Sequence, residues 1–72
     1  MNRVLVFKTS VETFEEVRKL HPALQRLVGS EPWNFDLEDC DRILRVESPY
    51  IGSGSVIETL SAHGFHCEEL AD

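Results

Sequence analysis

The sequence predicts a single α+β domain in the order strand, helix, strand, strand, helix, strand. Three observations point there. A β-branched and aromatic run is followed at once by an apolar stripe of helical period. A strictly alternating segment and a second apolar run then flank a polar turn, the pattern of a hairpin. A shorter helical segment and a last short apolar run close the chain. Two strand–helix–strand units in this order fold as a four-stranded antiparallel sheet with both helices on one face, the ferredoxin-like βαββαβ arrangement. The right-handed crossover rule leaves few other topologies.

Each element follows from its residues. Arg3 to Lys8 reads Arg-Val-Leu-Val-Phe-Lys and is a strand. Thr13 and Glu16 fit a capping box. Phe14, Val17, Leu20, Leu24, Leu27 and Val28 form the apolar stripe of the first helix, which Gly29 ends and Pro22 interrupts. Trp33-Asn34-Phe35-Asp36-Leu37 alternates apolar and polar residues, so one face of that strand is buried. Glu38-Asp39-Cys40-Asp41 is the turn, and Arg42 to Glu47 the return strand. After a loop of Ser48-Pro49-Tyr50 and Gly52-Ser53-Gly54, Ser55 and Glu58 make a second capping box for a helix carrying Val56, Ile57 and Leu60. Gly64 ends it, and Phe65 to Glu69 is the last strand. Leu5, Phe7, Trp33, Phe35, Leu37, Leu44 and Val46 are expected to face the helices, and Val4, Val6, Ile43, Arg45, Asn34 and Asp36 to face outward.

Composition bounds the function. The chain has 72 residues, 42% of them hydrophobic, which suits one small core spanning residues 1–72. Seven Lys and Arg against 13 Asp and Glu leave a net charge of −6. That balance argues against nucleic acid and against anionic membrane surfaces as partners. No apolar run is long enough to span a bilayer, and the first residues lack the pattern of a signal peptide. Cys40 and Cys67 are too few for a disulfide scaffold, so the expectation is a cytoplasmic protein with reduced thiols. Catalysis has little support: there is no Ser-His-Asp set, and Gly52-Ser53-Gly54 lacks the lysine of a phosphate loop.

Phe7-Lys8-Thr9, then Trp33-x-Phe35-Asp36-Leu37 with Asp41-Arg42-Ile43-Leu44-Arg45-Val46, then Val56-Ile57-Glu58 with Gly64-Phe65, carry a resemblance over nearly the whole chain. In these runs the sequence resembles the heavy-metal-associated domain of small copper chaperones and metal-ATPase amino-terminal modules. The resemblance implies a Cys-x-x-Cys pair in the loop before the first helix, where two thiolates bind a soft metal. Those positions fall here on Thr13 and Glu16, so both thiols are absent and family-type copper binding does not carry over. It also implies docking through the first loop and first helix. Glu12, Glu15 and Glu16 stand there against Arg18 and Lys19, so a partner protein with a basic patch is expected.

Four groups of residues invite a function. Glu12, Glu15 and Glu16 make either a hard-cation site or an acidic first turn that complements the helix dipole. His63, His66 and Cys67 are metal-ligand types, and His63 with Glu16 or His66 is the candidate set for zinc or copper. The plainer reading makes His63 a helix-end residue, His66 a solvated strand residue and Cys67 a small core residue. Cys40 is an exposed thiol, expected at the far end of the sheet from the first loop. Val4, Val6 and Ile43 form an apolar patch on the open face, suited to self-association as a homodimer or to a partner. The expectation is therefore a non-enzymatic protein-interaction module without a cofactor, and the alternative a divergent metal binder.

Overall fold

The computed structural model describes residues 3–29, 31–38, 40–48 and 50–70. Asp39 and Pro49, placed above in the turn and the loop, lie outside the described residues. The elements are β1 (Arg3–Thr9), α1 (Phe14–Val28), β2 (Trp33–Asp36), β3 (Ile43–Ser48), α2 (Ser53–Ala62) and β4 (Cys67–Glu69). The strands form one sheet in the order β2-β3-β1-β4, and every neighbouring pair is antiparallel. This is the ferredoxin-like βαββαβ fold.

One core joins the sheet to both helices. Leu5, Phe7, Leu44 and Val46 point from the two central strands into a cluster with Leu20, Leu24 and Val28 of α1 and Val56 and Leu60 of α2. Trp33, Phe35 and Leu37 pack against it half-buried, because β2 is an edge strand and the core thins there. Cross-strand pairs fix the register: Phe7 lies opposite Leu44, and Leu44 opposite Phe35. Burying large side chains in such a row is the dominant stabilising term in a domain this small.

The first helix starts as its residues predict. Thr13 is the N-cap with extended backbone, and the reciprocal capping box with Glu16 is present. Gly29 closes α1 at φ 69°, in the left-handed region that favours glycine, and its N–H donates to the Gln25 carbonyl at 2.8 Å. Pro22 lies within the helix.

The second helix departs from expectation. It begins at Ser53, two residues before Ser55, and its N-cap is Gly52 with no side-chain cap bond. The Ser55–Glu58 capping box therefore does not form. The turn is set instead by Ser48, whose buried hydroxyl accepts from the N–H groups of Tyr50 (3.1 Å) and Ile51 (3.2 Å). That earlier turn starts the helix before the side chain of Ser55 is in a capping position.

Two burial expectations are corrected. Phe14 is 75% exposed although its spacing places it on the apolar stripe. It is the first residue of α1, and Val11 of the preceding loop, fully buried, fills the core at that end. Ile43 was expected on an exposed apolar patch, yet only 5% of it is accessible. It stands on the central strand β3 between its partners Lys8 and Asp36, so neighbouring strands flank it on both sides. The strand limits also shift slightly: β3 starts at Ile43, and β4 at Cys67 rather than Phe65.

Candidate functional site

Three connections meet at one end of the sheet. The Thr9 N–H donates to the Asp41 carbonyl at 3.2 Å, and the Thr9 hydroxyl donates to the Arg42 carbonyl at 2.6 Å. These bonds tie the end of β1 to the β2–β3 turn. The Ser10 N–H donates to the His66 carbonyl at 3.1 Å, and the His66 N–H returns a bond to the Ser10 hydroxyl at 2.8 Å. These bonds tie the first loop to the α2–β4 connection. Cys40, in the β2–β3 turn, therefore lies at the same end as the first loop, which corrects the expectation of opposite ends. The antiparallel order explains it: β1 and β2 run the same way, so the loop after each emerges on the same side.

The backbone at this end is constrained. Arg42 has φ 50°, an uncommon value for a residue with a side chain, and it closes the β2–β3 turn directly before β3. Lys8 reaches Asp41 at 3.8 Å across two half-exposed side chains, a contact of small energetic weight.

Thr13 and Glu16 both serve the start of the helix. The Thr13 hydroxyl accepts from the Glu16 N–H at 3.2 Å. Oε1 of Glu16 accepts from the N–H groups of Glu12 (2.8 Å) and Thr13 (3.2 Å). Glu16 thus satisfies backbone donors that the first turn leaves without partners. Glu12 and Glu15 are exposed and make no such bond in the first turn.

Histidines and cysteines are spread out. His63 caps the end of α2, and its Nδ1 is 2.8 Å from the Thr59 carbonyl. His66 is exposed, with Nε2 3.9 Å from Glu68 Oε2. Cys67 points into the core, 8% exposed, and burial pushes its thiol up to about 11 from 9.0. Cys40 is exposed, and both thiols are free. Among the described residues no three His, Cys, Asp or Glu side chains are grouped to hold a metal ion, so Glu16, His63 and His66 do not come together as a ligand set.

What the end of the molecule does hold is a cleft of about 510 Å³. The start of α1 supplies Glu12, Thr13 and Phe14 as one wall. Phe35 and Leu37 form an apolar floor, with Glu38 at the rim. Asp36 and Arg45 sit at its open-face side, 3.9 Å apart. The exposed ring of Phe14 therefore hangs beside two half-buried apolar residues and is bordered by carboxylates. Periodicity missed this feature because spacing alone places Phe14 in the core. The usable signal was its position directly after the cap, beyond the last residue of β1.

The predicted open-face patch is smaller than expected. Val4 is 48% exposed and Val6 half-buried, while Ile43 contributes almost no surface. Among the described residues no helix is long and apolar enough to cross a membrane. Comparison with protein-family models, with curated proteins and with solved structures gives no match to this chain.

Proposed function

We propose that this chain is a non-enzymatic docking module of the heavy-metal-associated type whose cysteine metal site has been replaced by a helix cap. It binds another protein at the end formed by the first loop, the start of α1 and β2. One observation carries the reading: Phe14, a large apolar side chain at 75% exposure, borders a cleft floored by Phe35 and Leu37. A ring left mostly in water contributes little to the core, and exposed aromatic residues beside apolar clefts are common anchors of interfaces. Glu12 and Glu38 on the rim, with Glu15 one residue past Phe14, favour a partner that presents Lys or Arg. Val4 and Val6 form a lesser contact surface on the open face. The two free thiols support a reducing compartment such as the cytoplasm.

The test compares partner retention by the immobilised protein and by Phe14→Ala and Glu12→Lys. The reading expects a partner held by the parent and lost by both variants, with melting temperatures within about 2 °C of the parent, since both positions are exposed. Equal retention by all three forms overturns it. A melting temperature raised by zinc or copper(I), with the rise lost in His63→Ala, replaces docking with metal carriage.

A further inference from the structure

β2 is an edge strand, and among the described residues its sheet neighbour is β3. The Pro32 carbonyl accepts from the Glu47 N–H at 2.9 Å, which fixes the phase of the ladder. Hydrogen-bonded pairs alternate in an antiparallel ladder, so Asn34 with Arg45 and Asp36 with Ile43 are the next bonded pairs. The N–H and C=O groups of Trp33 and Phe35 then point away from the sheet. The surface at the second half of this edge is hollow. Five consecutive residues, from Asn34 to Glu38, line the cleft below Phe14. A second depression of about 150 Å³ lies where Pro32, Trp33 and Asn34 meet Arg45 and Glu47 of β3.

We propose that the occupant is an extended, lysine- or arginine-bearing segment of a partner protein, which adds to β2 as a fifth strand. This rests on the docking reading and specifies its chemistry. The outward amide and carbonyl groups of Trp33 and Phe35 supply the ladder bonds. One apolar side chain of the segment enters the cleft against Phe14, Phe35 and Leu37. Its cationic neighbours meet Glu12 and Glu38. The charge selects this occupant over a second copy of the chain: β2 pairing with itself would bring two chains of net charge −6 together at their carboxylate-bordered edges. The other edge, β4, is a poorer template. It has three residues against the four of β2.

The probe is a capped octapeptide of alternating lysine and valine, titrated into the whole chain and followed by NMR with amide hydrogen exchange. Strand addition predicts binding that slows exchange of the Trp33 and Phe35 amides by about tenfold or more, with little change at Asn34 and Asp36, whose amides are already in the ladder. It also predicts that glutamate in place of the lysines abolishes binding. Binding that perturbs Glu12 and Phe14 but leaves the Trp33 and Phe35 amides unprotected overturns strand addition and leaves surface docking intact. Absence of binding at millimolar peptide overturns both strand addition and the preference for a basic partner. Equal binding of the glutamate peptide overturns the charge argument that chose the occupant. A dimer with protected Trp33 and Phe35 amides before any peptide is added assigns the edge to a second copy instead.

Discussion

The two strand–helix–strand halves of this molecule are topological equivalents, yet they are finished differently. In the second half, α2 spans ten residues, starts without a side-chain cap and sends Val56 and Leu60 fully into the core, while β4 is a three-residue edge. In the first half, α1 spans 15 residues, carries a complete capping box, and begins with a phenylalanine left in solvent beside a four-residue edge strand and a cleft. The described residues of the second half mostly serve the core and its turns, although Tyr50 in the loop after β3 is 84% exposed. The first half holds an exposed group of residues beside one cleft, namely Phe14, Glu12 and Glu15, together with the outward backbone of β2. Exposed apolar and charged side chains grouped around a cleft are where an interaction surface is best sought.

The largest effect that separates the halves is a pair of truncations measured by urea unfolding. Leu60→Ala, at a fully buried position of α2, is expected to cost about 2–5 kcal/mol. Phe14→Ala is expected to stay within about 0.5 kcal/mol. A large loss at Phe14 would mean that the ring supports the fold, and the contrast between halves would break.

A second contrast is in pH. Burial raises the folded Cys67 thiol to about 11, above its ordinary value of 9.0. The fold therefore favours the protonated thiol. That contribution is complete below about pH 9 and is lost as pH rises toward about 11, amounting to no more than about 2–3 kcal/mol. Unfolding measured between these pH values should show a decline in the parent that Cys67→Ala removes.

The helix starts give a smaller contrast. Thr13→Ala should destabilise by about 1 kcal/mol, because two capping bonds are linked through it and Glu16. Ser55→Ala should change stability by no more than about 0.5 kcal/mol, since its side chain caps nothing. The smallest expected effect is Glu15→Lys, neutral in thermal melts within about 0.5 kcal/mol but weakening a basic partner.

The sequence is most legible where one physical rule acts alone. Period-2 and period-3.6 patterns located all six elements, and Thr13 with Glu16 marked the start of α1 because both halves of the cap are local. Legibility fails where tertiary placement overrides spacing. Phe14 has the right period but sits past the end of β1, where Val11 takes the core position that no pattern in the loop announces. Ile43 alternates outward, but a central strand surrounds it with Lys8 and Asp36. Ser55 and Glu58 have capping spacing, but the Ser48 turn starts the helix earlier. The cleft unites residues 12–14 with residues 34–38, a juxtaposition set by the antiparallel topology rather than by any contiguous motif.

The central claim is that the first half carries the docking surface. Its most direct test is an amide chemical-shift map of the protein against the partner retained by the parent and lost by Phe14→Ala. The account predicts perturbations concentrated on residues 12–15 and 33–38, with α2 and β4 unchanged. Perturbations centred on α2, β4 or the Val4–Val6 face, with Phe14 unaffected, would contradict it.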